Sequence, residues 1–166
     1  MEIQLFSVLR AAHILTAALW LGAGAMLTLY IMPSVRSIGA AGGSVMAELM
    51  RRGLGIFMAS VAGLTILSGF LLFWMWSQAR GPGAMHGTGA MLLSFGALAG
   101  IAAAIVGGAV LGRASHELAR LAGAPAGDAA TQSRIAALHR RGAAASKVTL
   151  TLLIAALLLM IFSHSF

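Results

Sequence analysis

Leu54 to Trp76 reads LGIFMASVAGLTILSGFLLFWMW, 23 residues without a charge, and this stretch decides the fold. A hydrocarbon layer ~30 Å thick asks a helix for roughly 20 apolar residues in a row. Three more runs of this kind extend from Ala11 to Ile31, His86 to Gly112 and Val148 to Phe162. Inside lipid each run must satisfy its own backbone hydrogen bonds. Segments so long and so rich in Ala, Leu and Gly do that as helices and not as barrel strands. The expectation is an all-α integral membrane four-helix bundle. Residues 1–166 form a single domain, with spans near 11–31, 54–76, 86–112 and 148–162 and connections at 32–53 and 113–147.

The whole chain agrees with that stretch. It is 60% hydrophobic and 9% charged, with a mean hydropathy of +0.94. A formal charge of +7 invites a nucleic-acid reading, but the charges are sorted by side. Arg36, Arg51, Arg52, Arg113, Arg120, Arg134, Arg140, Arg141 and Lys147 fall in the two long connections, against Arg10 and Arg80 on the opposite side. The positive-inside rule then places both connections in the cytoplasm and both termini on the outer, periplasmic side of a bacterial inner membrane. The basicity records topology and contact with the lipid bilayer, so no nucleic-acid partner is expected. Arg10 before an apolar stretch ending in Gly22-Ala23-Gly24-Ala25 imitates a signal peptide, but the n-region would be long and would carry Glu2.

Along the chain, Met1 to Arg10 reads as an interfacial lead-in, and Met32-Pro33 as the stop of the first helix. Phe73-Trp74-Met75-Trp76 forms an aromatic belt, followed by a turn at Arg80-Gly81-Pro82-Gly83. The third helix is expected to run on through Leu121. Gly123-Ala124-Pro125 breaks it, and Asp128 caps a helix that merges into the fourth span.

No cysteine is present, which excludes disulfides, thiolate metal sites and CxxCH-attached haem. The chemistry falls to histidine. His13, His86 and His164 lie near the ends of three spans, and alternation of the spans puts all three on the outer side. A histidine in an apolar span is costly to bury and is a site hypothesis by default. With Ala11 at the boundary, the three would share a depth within roughly 5 Å, at 1.5 Å rise per residue. From His86, helical spacing runs through Gly89, Leu93, Gly96, Gly100, Ala103 and Gly107, a seam nearly stripped of side chains. A second such seam holds Gly55, Ala59, Ala62, Ile66, Gly69, Phe73 and Trp76, while His13 shares a face with Ala17, Trp20 and Gly24.

Two readings of these seams stand side by side. A flat macrocycle needs bare helix surface beside its ligands, with His13 and His86 coordinating from opposite faces. Small-residue seams are also how membrane helices pack closely, and interfacial histidines can simply bond water or headgroups. Copper is the rival ligand, since His13, His86, His164 and Met85 combine imidazole with thioether, a set that suits Cu(I). His116 and His139 read as solvated loop histidines. The intramembrane hydroxyls of Ser60, Thr65, Ser68 and Ser94 read as bonded back to their own helices. No carboxylate falls inside a span, which argues against a proton-coupled transporter.

The run His13-Ile14-Leu15-Thr16-Ala17-Ala18-Leu19-Trp20-Leu21-Gly22, closed by Met32-Pro33, resembles the first helix of the copper resistance protein D superfamily. There a histidine leads a Trp-x-Gly by seven residues. Thr65-Ile66-Leu67-Ser68-Gly69-Phe70-Leu71-Leu72 is similar to the same group, which is related to the HemJ-type membrane protoporphyrinogen oxidases, small four-helix proteins whose first-helix histidine is associated with haem b. The resemblance marks His13 as a ligand and Trp20 and Gly22 as packing positions; His86 rests on topology and the glycine seam alone.

The resulting expectation is a cytochrome-b-like membrane protein holding haem b through His13 and His86. Gly69 and Gly89 supply bare surface, Trp20 packs, Arg10 or Arg80 pairs with the propionates, and His164 stands by as a further partner. It would transfer electrons between a quinone pool and a redox protein, as a membrane oxidoreductase, a homo-oligomer or a subunit of a larger complex. The alternatives are copper handling, porphyrinogen oxidation and a structural subunit without cofactor.

Overall fold

The computed structural model describes residues 2–81, 87–121 and 129–165, and these contain no strand. Helices α1 (Glu2–Met26), α2 (Met32–Ser37), α3 (Ala40–Arg51) and α4 (Leu54–Arg80) make the first half. Helices α5 (Thr88–Ile105), α6 (Gly112–Leu121) and α7 (Ala129–Phe162) make the second, closed by a 3₁₀ turn at Ser163–Ser165. Four stretches are long and apolar enough to cross a membrane: Gln4–Ser37, Leu54–Ala79, Thr88–Leu118 and Ala129–Phe162.

The first two spans lie in longer helices than expected, whereas the third runs on to Leu121 and the last helix is continuous with the fourth span, as expected. The lead-in before Ala11 is helical from Glu2, and the connections at 32–53 and 113–147 are mostly helix. In α7 the reason is visible, because Leu138, Gly142 and Ala145 are buried below the apolar run and keep the helix docked through its charged half. The expected break at Gly123-Ala124-Pro125 and the cap at Asp128 lie outside the described residues.

The expected stop at Pro33 does not occur. Leu27–Ile31 forms a π-helical turn in which the Met32 N–H bonds the Leu27 carbonyl. Pro33 then sits in the first turn of α2, where a missing N–H costs nothing. A widened turn before a proline relieves the clash with the preceding carbonyls, so the helix continues. The real stop is Gly39, at φ 62° and ψ −128°, a conformation that a side chain would strain. A second π-helical turn, Val106–Leu111, joins α5 to α6 in the same manner.

Helix α1 packs mainly on α4, and α5 mainly on α7. The two pairs meet through α1 with α7 and α4 with α5. One residue from each long helix builds the shared core: Trp20, Val61, Ala103 and Leu153. Ala103 is fully buried, whereas Ile56 is 76% exposed, and Val8, Tyr30, Ile105 and Phe70 also point outward. Apolar residues outside and small residues inside are the pattern of helices solvated by lipid.

Candidate cofactor-binding site around His13

Helices normally satisfy their own carbonyls, so a side chain from another helix needs an acceptor with a spare lone pair. Thr65 provides it. Its hydroxyl donates to the Val61 carbonyl at 2.7 Å, and Ser68 donates to Leu64 at 2.6 Å, as expected of intramembrane hydroxyls. The Thr65 carbonyl is left to accept from His13 Nδ1 at 2.9 Å, with Ser68 Oγ 3.3 Å from the same nitrogen. Thr65 and Ser68 are buried, so this contact is shielded from water.

The carbonyl cannot donate, and this assigns the proton of His13 to Nδ1. Nε2 therefore carries the lone pair, and no described residue bonds it. An imidazole whose Nδ1–H is anchored on a backbone carbonyl is oriented as metal-binding histidines are, with the ring fixed. The ring lies in a notch at Gly69. A Cβ there would stand 2.8 Å from His13 Cε1 and 3.2 Å from Nδ1, so only glycine admits the ring.

Depth follows from counting along the helices outward from the shared core. His13 precedes Trp20 by seven residues, Ser68 follows Val61 by seven, Gly96 precedes Ala103 by seven and Met160 follows Leu153 by seven. Each helix pair has a contact at these positions: His13 meets Ser68, and Met160 Cγ would lie 3.0 Å from a Cβ on Gly96. His13 is thus about 10 Å from the core, Thr88 about 22 Å and His164 about 16 Å, at 1.5 Å per residue. Helix α1 starts eleven residues before His13, so Ala11 lies inside the span and His13 with it.

The remaining expected site residues distribute as follows. Trp20 is a core residue, 5% exposed, and its role is packing. Arg10 is exposed on α1, one turn outward from His13. Arg80 ends α4, with its side chain outside the described set, and Gly89 lies in the first turn of α5. Met85 and His86 lie outside the described residues. His164 is placed in the terminal 3₁₀ turn, but its side chain is not described. Among the described residues no three His, Cys, Asp or Glu side chains converge on one point. His116 and His139 are exposed, and Glu117 pairs with Arg134.

The glycine seam of α5 is used for packing. Gly96 abuts Met160, the Ala156 carbonyl and Leu159; Gly107 abuts Thr149; Gly100 has open space beside it. Thr65 and Ser68 were read as bonding only their own helix, and their part in holding His13 went unseen. The signal was available in Thr65-x-x-Ser68-Gly69, an acceptor, a hydroxyl and a notch on one helical face.

Comparison with known proteins finds no matching family model, curated relative or solved structure.

Proposed function

We propose that the protein is a b-type cytochrome of the membrane, with His13 Nε2 as an axial haem ligand. The observation that carries this reading is the hydrogen bond from His13 Nδ1 to the Thr65 carbonyl, which leaves Nε2 as a fixed, free Lewis base. Among the described residues His13 is the one imidazole at this site, and a single imidazole suits haem better than a bare copper ion. Haem brings four equatorial nitrogens of its own, whereas a protein copper site needs two or three side-chain donors together. His86 and His164 are the candidates for a second donor, and their side chains lie outside the described residues. Haem b would supply a one-electron couple. Thr65 and Ser68 hold the ligand ring, Gly69 admits it, and Arg10 is one turn away for a propionate. With the four helices as a bundle and both termini outside the cytoplasm of a bacterial cell, the site lies towards the outer leaflet. There it would exchange electrons between quinone and a redox partner.

The visible spectrum of detergent-purified protein, oxidised and then reduced with dithionite, tests this. A red-shifted Soret with sharp α and β bands is expected, lost in His13→Ala. A flat spectrum from cells with ample haem overturns it. The Gly69 notch favours a second reading, a structural subunit in which His13 pins α1 to α4. That reading expects no colour and a fall in stability for His13→Ala.

A further inference from the structure

The opposite, basic end of the molecule holds a feature that the His13 site does not use. A cleft of about 420 Å³ opens between α2 and α7, lined by Arg36, His139, Arg140, Ala143, Ala144 and Lys147. On α7 the spacing 139, 140, 143, 144, 147 is one face of a helix, with two alanines making room between cationic ends. Arg36 reaches across from α2 and donates to the His139 carbonyl at 3.3 Å, which ties its guanidinium to the mouth.

Three permanent cations thus share one cleft, and no described carboxylate joins them. Glu48 is held by Arg51 and Arg52 at 2.7 Å, which keeps its carboxyl below the usual range, and Glu117 is held by Arg134. Arg140 and Lys147 have no hydrogen-bond or ion-pair partner among the described residues. Like charges gathered without a counter-charge repel, and an anion between them removes the repulsion. The cleft also sits at a boundary. Val148, next to Lys147, and Leu29, two turns before Arg36 on the side of the span, are exposed apolar side chains. Above them the surface is that of lipid-facing helix.

We propose that this cleft binds a phosphate ester, presented by the headgroup of an anionic phospholipid. The guanidinium groups of Arg36 and Arg140 offer paired donors that match phosphate oxygens, and Lys147 adds a point charge two turns nearer the apolar surface. The volume is that of a small-molecule site, large enough for a phosphate with its glycerol. Basic pockets between membrane helices on the positively charged side are suited to such headgroups.

Native mass spectrometry of the detergent-solubilised protein tests the proposal, with phosphatidylglycerol, phosphatidylcholine and glycerol 3-phosphate as probes. Phosphatidylglycerol is expected to be retained over phosphatidylcholine by about fivefold or more, the scale of one or two cations at a surface. The variant R140Q/K147Q should lose that preference. R113Q/R120Q removes the same charge from the same end and should keep it. Should the first variant elute as an aggregate, R140Q alone serves, with a smaller loss in the same direction. Equal retention of the two lipids, or equal loss in both double variants, overturns the site. Glycerol 3-phosphate bound as strongly as phosphatidylglycerol overturns the lipid as source and leaves a free phosphate ester as the ligand.

Discussion

At the scale of single residues, the protein turns on one absent side chain. Gly69 leaves the space that His13 occupies, and a Cβ would stand 2.8 Å from Cε1. Gly69→Ala is therefore expected to push the ring off the Thr65 carbonyl and, on the proposed haem reading, to abolish or shift the Soret band. Gly100→Ala, beside open space, should leave the spectrum unchanged. A second residue-scale prediction concerns Thr149, whose hydroxyl is buried without a partner. An orphaned buried hydroxyl costs on the order of 1 kcal/mol or more. Thr149→Val keeps the shape, removes the cost and should raise stability by about 1 kcal/mol in an SDS unfolding titration. His13 was legible in the sequence because histidine is rare in an apolar span. Its partners were not, because a backbone carbonyl has no sequence signature.

At the scale of elements, the small-residue seam of α5 divides by neighbour. Gly96 faces Met160, the Ala156 carbonyl and Leu159 at 3.0–3.4 Å from a built Cβ, while Gly100 faces nothing within 4 Å. Gly96→Leu is expected to cost about 1–3 kcal/mol through overpacking of α5 on α7, and Gly100→Leu well under 1 kcal/mol, by the same titration. Periodicity identified the seam but could not say which of its glycines meet a partner, since that depends on where α7 crosses. The end of the first helix was misread for a related reason. Pro33 signals a stop in isolation, yet the π-helical turn at Leu27–Ile31 carries the helix past it.

At the scale of the whole molecule, topology remains the decisive property, and a cysteine-free chain makes it easy to probe. Ser133→Cys on α7 and Ser165→Cys at the end of the chain mark opposite ends of the same helix, both at exposed positions. With an impermeant maleimide on intact spheroplasts, Ser165→Cys should label at once and Ser133→Cys only after lysis. The reverse pattern would place the basic end outside and invert the orientation. The sorting of nine cations to one end is the basis of the expectation.

The sequence by itself determined the solvent and the class. Uninterrupted apolar runs can be stable only as helices in lipid, and their composition needs no knowledge of neighbours. It also singled out His13, because an imidazole among apolar residues must find a partner. Tertiary structure decided what that partner is, how deep the histidine lies and which cations share a cleft. These depend on the depth at which one helix crosses another, and the crossing is set by small residues whose contacts lie far away in the chain.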